Sequence, residues 1–149
     1  MKVIGDILPF SRIVLDLETS SKKRLFEQVA EMLESESGLP KEMIFDCLFA
    51  REKLGSTGLG QGVAIPHGRS SCVQNVTGLF ARLKEPVGFD APDGKAVSLV
   101  FVLLVPEQAT GEHLEILSHL ASKFSDKHIR DELLHADKET VHRLLLSEA

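Results

Sequence analysis

Between residues 97 and 105 the chain reads Val-Ser-Leu-Val-Phe-Val-Leu-Leu-Val, an almost unbroken apolar run closed by Pro106. Successive side chains of a strand point to opposite faces, so a strand that is apolar at nearly every position needs cover on both sides. The run is therefore expected to be the central strand of a sheet with helices on each face. Its purely apolar part, Leu99 to Val105, is far too short to cross a bilayer, and no membrane insertion is expected.

The rest of the chain supplies the cover. Thr19-Ser20-Ser21 offer N-caps to a helix carrying Leu25, Phe26, Val29, Met32 and Leu33 at helical spacing, which Ser37-Gly38 closes. Pro40 suits the first turn of a second helix, with Ile44, Phe45, Leu48 and Phe49 on one side and Gly55 at its exit. Gly55, Gly58, Gly60 and Gly62 then punctuate a loop before a short strand, Val63-Ala64-Ile65, that Pro66 should stop. Thr77 to Leu83 reads as a further strand, and Glu85-Pro86 with Ala91-Pro92-Asp93-Gly94 as turns. A third helix is expected from Thr110, with Leu114, Leu117, Leu120, Ala121 and Phe124 at core spacing. Weaker helical patterns follow around Leu133-Leu134 and Leu144-Leu146. This order predicts an α/β fold, a single domain over 1–149 with a central mixed β-sheet and helices packed on its faces.

Charge and cysteine usage narrow the function classes. A net charge of −5 with Lys and Arg scattered among Asp and Glu lacks the basic face that nucleic acid requires. Cys47 and Cys72 stand far apart with no paired spacing, so both are expected to be reduced thiols. Val3 to Leu8 is broken by Asp6 and lacks a cleavage site, so no signal peptide is expected and the protein is placed in the cytoplasm.

Chemistry concentrates in Arg51-Glu52-Lys53-Leu54-Gly55-Ser56-Thr57-Gly58-Leu59-Gly60-Gln61-Gly62-Val63-Ala64-Ile65-Pro66-His67-Gly68-Arg69. Glycines let backbone N–H groups approach an oxyanion, and Ser56 and Thr57 can donate to phosphoryl oxygens. No Gly-Lys-Ser/Thr follows, so this is not a nucleotide P-loop. Pro66 and Gly68 hold the His67 ring while leaving it approachable. With an ordinary pKa of about 6.5, roughly three quarters of such rings are neutral, and hence nucleophilic, at pH 7. Arg51, near the end of the second helix, can present its planar fork to a phosphoryl group. Arg69 is placed either to steer an acidic partner or to approach the phosphoryl group. His113, in the first turn of the third helix and flanking its Leu117/Leu120 stripe, is expected to reach His67 or its phosphate, where the helix dipole favours negative charge.

Each residue alone has an ordinary reading. Arg51 can serve the helix dipole, Ser56 and Thr57 can be turn formers, and His67 and His113 can be structural. His113 and His119 fall on different helix faces, and His128 and His135 lie two turns apart, so no metal or cofactor is expected. A hydrolase with His67 as general base lacks a neighbouring nucleophile with an activating pattern.

Taken together, the segment resembles the histidine region of enzyme IIA domains of the bacterial phosphotransferase system, in the mannitol/fructose and nitrogen-regulatory class. Arg51-Glu52-Lys53, Gly55-Ser56-Thr57-Gly58, Gly60 and Gly62 through Gly68 carry the resemblance, which covers nearly the whole chain. Ser21-Lys22-Lys23-Arg24 and Leu103-Leu104-Val105-Pro106 with His113-Leu114 look like the nitrogen-regulatory branch. The resemblance implies a phosphocarrier in which His67 accepts a phosphoryl group from a phosphorylated HPr- or NPr-like carrier, itself charged by an enzyme I from phosphoenolpyruvate. It implies an arginine at Arg51 and an auxiliary histidine at His113; from the loop itself, Ser56, Thr57 and Gly68 are expected around the phosphate. Some relatives carry another histidine two places after His113, where this chain has Glu115, and no role is assigned there. The absence of a fused IIB, IIC or HPr domain points to a regulatory IIA protein whose targets include a transporter or sensor kinase. The alternative is a sugar-specific component passing phosphate to a separate IIB.

Overall fold

In the computed structural model, which describes residues 4–108 and 111–147, the chain runs β1 (Ile13–Leu17), α1 (Lys22–Ser37), α2 (Lys41–Lys53), β2 (Gly58–Gly60), β3 (Val63–Ala64), β4 (His67–Ser70), β5 (Thr77–Val87), β6 (Val97–Pro106), α3 (Glu112–Phe124), α4 (Lys127–His135) and α5 (Lys138–Leu146). The apolar run is β6, and it is central. It pairs antiparallel with β5 on one side and parallel with β3 and β4 on the other. Strand order β1-β5-β6-β3-β2, with β4 also alongside β6, makes a six-stranded mixed sheet.

Alternation along the strands builds two cores. Val63, Ile65, Phe80, Leu99, Phe101, Leu103 and Val105 pack with Ile116, Leu120, Leu133 and Leu145 from α3, α4 and α5. Ala64, Leu79, Ala81, Val100, Val102 and Leu104 pack with Leu25, Phe26, Val29, Ile44 and Leu48 from α1 and α2. Helix α1 begins and ends as its sequence predicts. The Ser21 hydroxyl accepts from the Arg24 N–H, a cap worth about 1 kcal/mol, and Gly38 closes the helix with a left-handed φ of 79°.

Five readings of the sequence are corrected. β1, a parallel edge strand, and β2, a three-residue strand inside the expected glycine loop, lie outside the strands that the sequence predicts. Pro66 interrupts its strand without ending it: β3 and β4 keep the same offset against β6, with Val63 opposite Leu99 and His67 opposite Leu103. Proline lacks only the N–H, and its carbonyl still accepts from Leu103 N at 2.9 Å. β5 continues through Glu85-Pro86 to Val87, because Pro86 lies beyond the last β1 pair at Leu17–Leu83 and its missing donor breaks no bond on that side. Pro40 stands at the N-cap of α2, one place before the helix. On α3 the buried stripe is His113, Ile116, Leu120, Lys123 and Phe124, while Leu114 is 60% exposed, so the helix is rotated and His113 sits on the stripe itself. Thr110, the expected start of that helix, lies outside the described residues.

Candidate functional site

β4 opens at His67 because the strand resumes immediately after Pro66. Its odd residues share the α3 side with Ile65 and Leu103, whereas Gly68 turns to α2. A Cβ on Gly68 would stand 2.6 Å from Cys47 Sγ and 2.9 Å from the Cys47 carbonyl carbon, so only glycine lets β4 lie this close to α2. Gly68 thus serves packing in this structure, and the Cys47 thiol behind it is pushed up to about 11 by burial.

The His67 ring is half-buried, and its Nδ1 lies 2.8 Å from the carbonyl oxygen of Ile65. A carbonyl only accepts, so Nδ1 carries the proton and Nε2 keeps a lone pair. Burial lowers the His67 pKa most, and the nearby Arg51 guanidinium and His113 ring lower it further, against the opposing Ile65 bond and Glu52 carboxylate. All three act to keep the ring neutral. A cavity of about 300 Å³ adjoins His67, lined also by Arg51, Gly58, Leu59 and Leu117.

Arg51, in the last turn of α2, donates from Nη1 to the Gly55 carbonyl at 2.8 Å. This fixes the guanidinium at the cavity wall and leaves its other N–H donors without a partner among the described residues. The loop behind it is tied down by Glu52, which is 7% exposed. Its carboxylate accepts from Thr57 Oγ1 at 2.6 Å, from Thr57 N at 3.2 Å and from Lys22 Nζ at 3.0 Å. Ser56 Oγ donates to the Phe89 carbonyl at 2.6 Å and accepts from Gly58 N. Both hydroxyl protons, expected from sequence to meet phosphate, are engaged within the protein here. Nothing in the sequence beyond its place in the Arg51-Glu52-Lys53 segment signalled Glu52.

His113 is 4% exposed. Its Nε2 accepts from Arg69 Nη2 at 2.9 Å, and its Nδ1 is buried with no partner among the described residues. Arg51 on α2 and His113 on α3 are both within electrostatic reach of His67 on β4. Among the described residues no group of three or more His, Cys, Asp or Glu side chains is placed to hold a metal ion. No helix among them is long and apolar enough to cross a membrane.

A neutral, oriented imidazole beside an arginine fork, on a mixed sheet covered by helices, matches a known class. The sequence model of the family described as phosphoenolpyruvate-dependent sugar phosphotransferase system, EIIA 2, fits residues 6–148, and the chain belongs to that family. Within it, the chain is similar to the nitrogen regulatory protein of Pseudomonas aeruginosa, 47% identical over 133 residues that cover 87% of this chain and 85% of the relative. The crystal structure of nitrogen regulatory protein IIA-Ntr from Neisseria meningitidis superposes with a TM-score of 0.92 at 65% identity, covering 95% of this chain and 98% of that one. The chain is also 32% identical over 137 residues to the fructose-specific EIIABC component of Bacillus subtilis, matching 91% of this chain and 22% of that longer protein.

Proposed function

We propose that this protein is a cytoplasmic phosphocarrier in which Nε2 of His67 accepts a phosphoryl group from a phosphorylated HPr- or NPr-like protein, and that the phosphorylation state regulates nitrogen or general metabolism. The observation that carries this reading is the Nδ1–H bond to Ile65, which reserves the other nitrogen for attack. As the bond from phosphorus to the donor breaks, a bond to Nε2 forms. The Nδ1 proton stays on the ring, its positive charge shared with the Ile65 carbonyl. Arg51 offers N–H donors to the phosphoryl oxygens, and positioning with charge balance is most of what such a transfer asks of a protein. His113 is the auxiliary donor, while Ser56, Thr57 and Gly68 shape the loop and strand that hold these groups.

A protein donor needs a surface to seat on. Leu59 lines the cavity at 45% exposure, and Leu54 and Leu114, beside the Gly55 loop and His113 in the chain, are 85% and 60% exposed. Exposed apolar side chains around a polar centre are typical of protein docking surfaces. Added negative charge on His67 would then change affinity for a downstream target such as a transporter or sensor kinase. The names nitrogen regulatory protein and IIA-Ntr among the relatives support this regulatory use. The similarity to the fructose-specific component favours a second reading, transfer onward to a separate IIB protein.

The test is incubation with phosphoenolpyruvate, enzyme I and an HPr-like carrier. The protein takes up an acid-labile, base-stable phosphoryl group, and His67→Ala takes up none; undiminished uptake by that variant would overturn the proposal. Adding a IIB protein and following loss of label separates the two downstream readings.

A further inference from the structure

The two ring nitrogens of His113 have different surroundings. Nε2 faces the Arg69 guanidinium at 2.9 Å, whereas Nδ1 is buried with no partner among the described residues. Guanidinium nitrogens carry only donors and do not lose their protons in proteins. Nε2 must therefore accept, and the proton of the neutral ring sits on Nδ1. A buried N–H without an acceptor is costly and uncommon, and calls for an explanation.

Strand geometry places the three residues together. His67 and Arg69 are alternate residues of β4, opposite Leu103 and Val105 of β6, and so share the side on which α3 packs. His113 occupies the first turn of α3, and charge on its ring is felt at His67. We propose that Arg69 is a positioning residue: by donating to Nε2 of His113 it fixes the tautomer whose buried Nδ1–H is held for an oxygen of the phosphoryl group on His67. This rests on the phosphocarrier reading for its second half only. The tautomer itself is a property of the unphosphorylated protein.

In this arrangement Arg69 acts through another side chain. Its guanidinium need not touch the phosphoryl group, and a donor-only side chain of similar length can replace it. An acceptor at the same place would reverse the ring, drawing the proton to Nε2 and leaving Nδ1 a lone pair that repels phosphoryl oxygens. Arg69 is exposed, so its replacement leaves the core intact.

The test uses the full chain with 15N-labelled histidine. Long-range proton–nitrogen spectra at a pH where His113 is neutral report which nitrogen is protonated. The unaltered protein and Arg69→Lys show Nδ1–H, Arg69→Ala loses that preference, and Arg69→Glu shows Nε2–H. In parallel, the equilibrium division of phosphoryl groups between this protein and its phosphorylated carrier is measured after full exchange. It shifts toward the carrier by about tenfold in Arg69→Ala and Arg69→Glu, the loss expected for one charge-assisted hydrogen bond, and is restored in Arg69→Lys. Docking alone cannot move this equilibrium between separated proteins, because binding strength changes only how fast it is reached.

Nε2–H on His113 in the unaltered protein, or an unchanged tautomer in Arg69→Ala, overturns the assignment of Arg69. A changed tautomer with an unchanged equilibrium overturns the role of Nδ1–H toward the phosphoryl group. No phosphoryl uptake by the unaltered protein overturns the phosphocarrier reading and this second half together, while the tautomer result stands on its own.

Discussion

A histidine acts as a nucleophile only through a nitrogen that has no proton, so the state of the His67 ring decides whether the site works. The Ile65 carbonyl selects the tautomer, and burial together with the neighbouring Arg51 guanidinium disfavours protonation. The sign is definite: a lowered pKa means Nε2 stays unprotonated to more acidic pH than in a free histidine. Phosphoryl acceptance should therefore persist as pH falls past about 6.5, the ordinary value, and decline only below it. Initial rates of uptake across pH 5 to 8, with the donor's own titration measured separately, check this. An inflection at or above the ordinary value would contradict it.

At this scale the sequence was partly legible. Arg51 and His67 could be paired because both belong to one dense segment, and the structure lines one cavity with them. Which ring nitrogen is left without a proton was not legible, since it depends on a carbonyl two residues away being folded back onto the ring. Nor was the Arg69 contact to His113, which joins residues 44 positions apart. Ser56 and Thr57 illustrate a different difficulty, because a hydroxyl suited to phosphate is equally suited to a backbone carbonyl or a buried carboxylate. In this structure Phe89 and Glu52 take them.

Among the elements, β4, like the short β2, is one that local preference could not reveal. His-Gly-Arg-Ser has little β propensity, and its strand conformation comes from pairing with the strongly apolar β6. Gly68 is the condition for that pairing beneath α2. Gly68→Ala forces a Cβ against the Cys47 backbone as well as its sulfur, and overpacking of this kind costs about 1–3 kcal/mol. Thermal denaturation should show a fall in Tm of several degrees, on the scale of about 2–4 °C per kcal/mol for a chain of this size. Uptake should fall too, since α2 carries Arg51. An unchanged Tm would mean that α2 and β4 are not in the contact described.

The longer elements were legible because periodicity over many residues outweighs local accidents. Helix α1 lies where its spacing and caps place it, α2 and β6 where their spacing does, with α2 starting one residue after Pro40. On α3 the apolar pattern allowed two rotations. The observed one buries His113 and Lys123 within the stripe, where Lys123 Nζ donates to Leu144 O at 2.8 Å. A polar group at a core position is what pattern reasoning discounts, and here one such group belongs to the site.

Across the whole molecule, the sheet separates two cores and the site joins them. Arg51 comes from the α2 side and His113 from the α3 side, with His67 on the strand between. No single element carries the proposed chemistry, which would require both layers to be packed on one sheet. All of this bears on one atom, Nε2 of His67, and the most direct measurement identifies the nitrogen that becomes bonded to phosphorus. The protein, labelled with 15N in its histidines, is phosphorylated from phosphoenolpyruvate through enzyme I and an HPr-like carrier, and phosphorus–nitrogen couplings are recorded. Coupling to Nε2 of His67, with the proton retained on Nδ1, is the predicted result. Coupling to Nδ1 of His67, or to any other histidine, would contradict it.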